Sequence, residues 1–344
     1  GYMDWLISTE TRSDNAYCGS PSTGAIVAIE ANNQDPANSN IARDWDWYLQ
    51  QISNANNIIC NIDNIFAKDT SAVKMTQKEH DEWKSEALCW RAFCLFRMAQ
   101  LWGDAPMITV IPPEITSENI EEVYEDYYPK RTPVDEIYGQ VIEDLNYACE
   151  HCSDDSKYRI RASYIHKYVA LALKSRFCLY EGTMRKYHSN DPSTGKPWTK
   201  DESSMYLEQC IKASEEIMNS GIYSLTDDAA SRKTQYRDMF TNADACGVYA
   251  NEFIWARDYD LDLQVTYAIN DYMVNPQHAN YAFTRQFINT YLMTDGTPFT
   301  TKYADYNSVD FINECKDRDY RLAQTIRTPG FTRDGGKTSW APDV

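Results

Sequence analysis

The chain has 344 residues with 51 acidic against 33 basic side chains, a formal net charge of -18 that repels phosphate backbones and argues against nucleic acid as a partner. Hydrophobic residues at 43% and charged residues at 24% are ordinary for a globular protein, and this length allows a substantial core. No apolar run approaches the ~20 residues of a membrane-crossing helix, and the opening GYMDWLISTE lacks the n- and h-regions of a signal peptide, so the sequence is expected to begin after any such signal.

The stretch from Asp4 to Tyr17 reads as a helix end running into a loop, and Cys18 to Asp44 is small and polar, with Asn32, Asn33, Asn38 and Asn40. Connections that long are often functional. Asp44 can cap the next helix, on which Trp45, Tyr48, Leu49, Ile52, Asn56 and Ile59 share a face. Asn54, Asn56 and Asn57 are poor helix formers, so at least one is expected to use its amide on a neighbouring backbone group.

From Gln77 onward, Trp83, Ala87, Trp90, Cys94, Met98 and Leu101 make one apolar row, and Leu88, Ala92, Leu95 and Ala99 make a second beside it. Such a helix is predicted to be covered on two sides, inside the core. It should stop at Gly103, with Pro106 barring continuation, and Met107 to Ile111 should be extended. Thr132-Pro133-Val134-Asp135 predicts a helix start with a capping hydroxyl and Pro at the first helical position. Its apolar stripe is Ile137, Val141, Leu145 and Ala148. The next helix is expected from near Ala162 through Ile165, Val169, Ala172 and Leu179, apolar nearly all round.

Gly182 to Asp201 reads as a loop. Tyr206 to Asn219 is another amphipathic helix, with Leu207, Cys210, Ile211, Ser214, Ile217 and Met218 expected to face inward and Gly221 closing it. Helices starting near 44, 77, 133, 162 and 203 therefore pair as hairpins, resembling degenerate tetratricopeptide stacking. Past Tyr236 periodicity fades, and Tyr259 to Tyr281 is rich in Tyr, Asn and Asp. In the cluster Asp317-Arg318-Asp319, the Arg is expected to pair with the flanking carboxylates in a network extended by Arg321.

Little in the chain points to catalysis. The five histidines, His80, His151, His166, His188 and His278, form no H-E-x-x-H, and the nucleophile-elbow and phosphate-binding glycine motifs are missing. Among 51 acids, carboxylate pairs suited to glycoside hydrolysis remain open, because their separation is not written in sequence. Asp295, Asp305 and Asp310 lack EF-hand spacing. Cys149 and Cys152 form a single C-x2-C, a weak zinc signal, while Cys89, Cys94, Cys178 and Cys210 lie on apolar helical faces as small hydrophobes. No catalytic residue, metal or cofactor is predicted.

Five stretches in order resemble one family. Arg91-Ala92-Phe93 through Leu101-Trp102-Gly103-Asp104-Ala105-Pro106 is similar to the central signature of the SusD/RagB family, Bacteroidetes surface glycan-binding lipoproteins. Thr132 to Tyr138 with Asp144-Leu145, Arg161-Ala162 with the helix to Tyr180, Ile217 to Leu225, and Met293 to Pro298 with Asp317 to Leu322 complete the resemblance. It implies a mainly α fold over residues 1–344, with tetratricopeptide-like hairpins over 42–225 against a loop-rich ligand-binding portion at 18–44 and 226–344. It further implies a non-enzymatic protein on the outer face of the outer membrane, delivering oligosaccharide to a SusC-like TonB-dependent transporter. The lipid anchor is implied rather than read, since the family's lipobox cysteine and C-terminal helix are absent from this sequence, which is expected to be an internal part. A peptide-binding subunit of a RagAB-like uptake system and an all-α glycosidase are the alternatives.

The family's site lies in loops away from the repeats, which here means 18–44 and 259–281. Sugar rings need flat aromatic faces and amides or carboxylates for their hydroxyls. Tyr17, Asn32, Asn33, Tyr259, Tyr267, Tyr272 and His278 are the ligand-binding candidates, while Trp83, Trp90 and Trp102 are expected to be scaffold.

Overall fold

The computed structural model describes residues 13–18, 39–68, 74–127, 130–192, 194–198, 202–259, 262, 264–265, 281–333 and 338–339. The chain forms two compact units, one of Ala37–Leu225 with Ala250–Asp258, the other of Gly1–Pro36, Thr226–Tyr249 and Tyr259–Val344. Among the described residues no helix is long and apolar enough to cross a membrane.

The first unit is built on helices α1 (Ser39–Lys68), α2 (Gln77–Trp102), α3 (Ile120–Tyr127), α4 (Val134–His151), α5 (Lys167–Tyr187) and α6 (Ser203–Asn219). The long helices pack in succession, α1 on α2, α2 on α4, α4 on α5 and α5 on α6. Thr76 and Glu79 close a capping box at the start of α2, satisfying two orphan donors at once. Gly103 ends it at φ 69, ψ -123, a backbone region open to glycine, with its N–H returned to the Ala99 carbonyl.

Helix α2 is buried on both predicted rows, with Cys89, Ala92, Cys94, Met98 and Ala99 all at 0% exposure. Small side chains let α1 and α4 approach closely there. The two ends of the first row depart from expectation: Trp83 is 47% exposed and Leu101 44%. The neighbouring helices cover only the middle of the stripe, so Trp83 is not core. Trp102 packs edge-on against Trp45 and Tyr48, as scaffold should.

One buried polar network locks three helices together. Arg91 Nε and Nη2 donate to both Asp144 oxygens at 2.7 Å, and Nη1 donates to Asn56 Oδ1 at 2.9 Å and the Thr109 carbonyl at 3.3 Å. Asn56 Nδ2 donates to the Ile108 carbonyl at 2.7 Å, the backbone duty anticipated for one of the three asparagines. Gln140 adds a third hydrogen bond to Asp144 at 2.9 Å. The signature arginine and the Asp144-Leu145 pair are thus two halves of one bidentate ion pair.

The entry to α4 differs from its sequence reading. Pro133 is the residue preceding the helix, and neither it nor Thr132 caps through a side chain. Thr132 instead bridges Ala105 through its backbone, and the Val134 N–H donates to Asp104 Oδ1 at 3.1 Å. The cap arrives from 30 residues upstream, and Asp104 is additionally paired with Lys196. Helix α5 starts at Lys167, later than expected, because Ala162 closes a 3-10 turn with φ 52 and His166, 0% exposed, caps it by accepting the Tyr168 N–H. Burial lowers the His166 pKa to about 4, keeping the ring a neutral acceptor.

On α5 the buried run Tyr168 to Leu171 with Leu173, Phe177 and Cys178 leaves Leu179 50% exposed. On α6 the inward residues are Ser203, Tyr206, Cys210, Ala213 and Ile217, so Ile211 and Met218 face solvent at 55% and 67%. Ser214 does face inward as expected, lying against Ser175 with their hydroxyls 2.8 Å apart.

The second unit consists of short elements. β1 (Ala16–Cys18) pairs antiparallel with β2 (Tyr281–Phe283), placing Tyr17 opposite Ala282. Short helices include α7 (Gln235–Thr241), α8 (Arg285–Asn289) and α9 (Tyr320–Thr325). Arg318 does not join the flanking carboxylates. Its guanidinium is 4.2 Å from the Phe299 ring and donates to the Glu314, Ile288 and Tyr291 carbonyls at 2.7–2.9 Å. Held over the Phe299 ring, the guanidinium reaches three backbone carbonyls, whose hydrogen bonds offset part of the cost of its burial. Asp319 pairs with Arg321 at 2.6 Å, as expected, and caps α9.

Candidate functional site

The end of α5 and the start of α6 enclose an open cleft of about 540 Å³. Two contacts bring the helices together. Ser203 Oγ donates to the Gly182 carbonyl at 2.9 Å, and at Gly182 an added Cβ would sit 2.8 Å from Leu207 Cγ, so only glycine permits this approach. Between the helices the chain folds back on itself. Asn190 bridges Pro197, the Asp191 N–H donates to the Lys196 carbonyl at 2.8 Å, and Gly195 turns at φ 68.

This hairpin lays Trp198 across the end of α5, its indole N–H donating to the His188 carbonyl at 2.8 Å. Arg185 lies over the ring at 4.7 Å and over Tyr206 at 5.1 Å. Its charge is matched from behind by Glu181 at 2.6 Å and Asp135 at 2.5 Å. Burial pushes Glu181 up to about 7 although Arg185 pulls the other way. Lys186, His188, Ser189, Ser203 and Ser204 bring polar groups to the cleft wall, and Leu207 an apolar one. Among the described residues the lining offers a ring face, hydroxyls and cations, with no nucleophile paired with a base.

A second set of rings lies elsewhere in the same unit. Trp90 stacks on Phe93 at 5.3 Å and meets Trp47 and Trp255 edge-on at 6.3 and 6.4 Å. Trp47 is 43% exposed and Trp255 37%, so the cluster opens to solvent at both margins, with Trp90 itself the half-buried centre.

Of the residues expected to bind ligand, Tyr17 has its backbone in β1 and Tyr259 is 37% exposed. Asn32, Asn33, Tyr267, Tyr272 and His278 lie outside the described residues. His188 and Trp198 are not among the expected site residues. The signal for Trp198 is a lone tryptophan after Gly195-Lys196-Pro197 in an otherwise polar loop. Among the described residues no group of acids, histidines and cysteines could hold a metal ion. Asp295 and Asp310 instead accept the Thr297 and Asn313 N–H groups at 2.9 Å, and Asp305 accepts from Ser308.

Comparison with known proteins gives the fold a family. Residues 7–179 match the family model described as starch-binding associating with outer membrane, and residues 251–342 match the SusD family model. No curated protein matches the chain. Among solved structures, a SusD-like carbohydrate binding protein from Bacteroides fragilis NCTC 9343 is similar at TM-score 0.63 and 19% identity, over 92% of this chain and 52% of that one. A SusD-like protein from the same organism is similar at TM-score 0.62 and 22% identity, over 93% and 56%. A structure with xylogluco-oligosaccharide is similar at TM-score 0.50 and 16% identity, over 74% and 42%. The chain thus spans about half the length of these relatives. Their likeness carries the fold and the family models carry the lineage: the chain belongs to the SusD/RagB family of carbohydrate-binding, outer-membrane-associated proteins.

Proposed function

We propose that this protein holds an oligosaccharide, without cleaving it, at the extracellular face of the outer membrane and passes it to a SusC-like TonB-dependent transporter. Membership of the SusD/RagB family is the observation that carries the reading, supported by the structural relative solved with xylogluco-oligosaccharide. A lipid anchor outside this sequence would hold it at the membrane. The Tyr- and Asn-rich segments supply the contacts: Tyr17, Tyr259, Tyr267 and Tyr272 as ring faces, Asn32, Asn33 and His278 as partners for hydroxyls. Scaffold and ligand work divide accordingly between 42–225 and the segments 18–44 and 226–344.

Isothermal titration against plant, host and microbial oligosaccharides tests this. Binding of at least one is expected, with affinity about three- to tenfold weaker after Tyr259→Ala, Tyr267→Ala or Tyr272→Ala if a stacking face is lost. The oligosaccharide should be recovered intact after incubation. Silence across the panel with binding of peptides would refute the glycan reading in favour of peptide uptake, and hydrolysis would refute the absence of catalysis.

A further inference from the structure

The described lining of the cleft at the α5–α6 junction runs against the acidic balance of the chain. In a chain with 51 acids against 33 bases, the described residues that line it include Arg185, Lys186 and His188 and no carboxylate, with Glu202 3.9 Å from Arg185 just outside. Arg185 is already matched by Glu181 and Asp135, so it contributes geometry more than charge. Lys186 differs: it is exposed, makes no ion pair among the described residues, and has its ammonium 5.3 Å from the Tyr187 ring. A lysine with no ion-pair partner among the described residues, lining the same cleft as a tryptophan and three serines, is a combination with a chemical meaning.

We infer that this cleft is a sugar-binding site of its own and that it takes an acidic pyranose, one bearing a carboxylate or a sulfate ester. The inference rests on the glycan-binding reading and adds a ligand class to it. One face of Trp198 is covered by Arg185, which fixes the ring's plane, and the half-buried indole lines the cleft. The C–H face of a pyranose packs against such a ring. Lys186 meets the anionic substituent with a charge-assisted hydrogen bond, and the flexible ammonium accommodates either a planar carboxylate or a tetrahedral sulfate. Ser189 and Ser204 are exposed hydroxyls able to donate to and accept from ring hydroxyls, and Ser203, committed as a donor to Gly182, keeps its acceptor capacity. A neutral sugar would leave the Lys186 ammonium without an anionic partner.

Titration calorimetry with three probes decides the matter: tri-galacturonic acid for the carboxylate, a chondroitin 4-sulfate disaccharide for the sulfate, and a xyloglucan heptasaccharide as the neutral reference. At least one acidic probe should bind, more weakly at 0.5 M salt than at 0.05 M. Lys186→Gln, a change at an exposed side chain that leaves the fold intact, should weaken that binding about fivefold while leaving any xyloglucan affinity unchanged. Trp198→Phe should weaken it as well. Acidic binding unaffected by Lys186→Gln would overturn the assignment, since the sugar would sit elsewhere. Binding of the neutral probe alone would overturn it while leaving the glycan reading standing. Silence from all three, extended across the wider panel, would remove both.

Discussion

Replacing Asp144 with Ala should cost the helical unit about 3–5 kcal/mol, because it strands a buried guanidinium. The side chains of Arg91 and Asp144 are 6% and 3% exposed, so water cannot stand in for the carboxylate. The change removes two charge-assisted hydrogen bonds of 2.7 Å and the one from Gln140 at 2.9 Å. The bond from Nη1 to Asn56 remains and holds Arg91 in place, so the group cannot swing outward to recover its hydration. The upper half of the range follows. With a urea slope of about 2–3 kcal/mol/M, the unfolding midpoint should fall by roughly 1–2 M. Arg91→Met combined with Asp144→Leu should recover most of the loss, since apolar groups of similar volume replace a buried pair at little cost. A loss under about 1 kcal/mol for Asp144→Ala, or a double variant no better than the single, would refute the reasoning.

Gly182→Ala should lower stability by about 1–3 kcal/mol through the clash with Leu207, read as a fall in melting temperature. Asp104→Ala removes the side-chain acceptor at the Val134 N–H and should cost about 1 kcal/mol in urea unfolding, with Asp104→Asn restoring much of it. Glu86 is raised from 4.5 to about 7, first by burial and then by the Glu82 carboxylate. Its raised value makes its contribution to stability full below pH ~4.5 and progressively lost as pH climbs to ~7. Glu86→Gln should therefore flatten the fall in melting temperature across that window and raise it at pH 8.

The long helices are legible in the sequence because each carries an apolar stripe at helical spacing, and α2 carries two. Legibility stops where a side chain's partner lies far along the chain. Asp104 reads as part of a turn, and nothing near it says that it caps α4 in place of Thr132. Arg318 sits between two acids in sequence, yet its guanidinium turns inward to the local Glu314 carbonyl and to the Ile288 and Tyr291 carbonyls some 30 residues upstream. The stripe of α6 is displaced from its sequence reading by about one residue, because Ile211 and Met218 outrank Tyr206 and Ala213 in hydrophobicity while the latter make the packing contact. For the site, the helix junction that forms the cleft requires knowing that Gly182 and Ser203 touch. A single tryptophan in a polar loop has no periodicity to announce that contact.

The bridge between Ala105 and Thr132 has an engineering consequence. It shuts the base of an excursion whose first residues are anchored by the Ile108 and Thr109 carbonyls. With the base fixed, the residues beyond no longer set the distance between α2 and α4. Doubling the length of a closed loop adds only about 0.6 kcal/mol of closure entropy. The exposed stretch from Glu114 to Ser117 is therefore a place where a reporter, an affinity handle or a whole folded module can be spliced in while the helical stack keeps its registration.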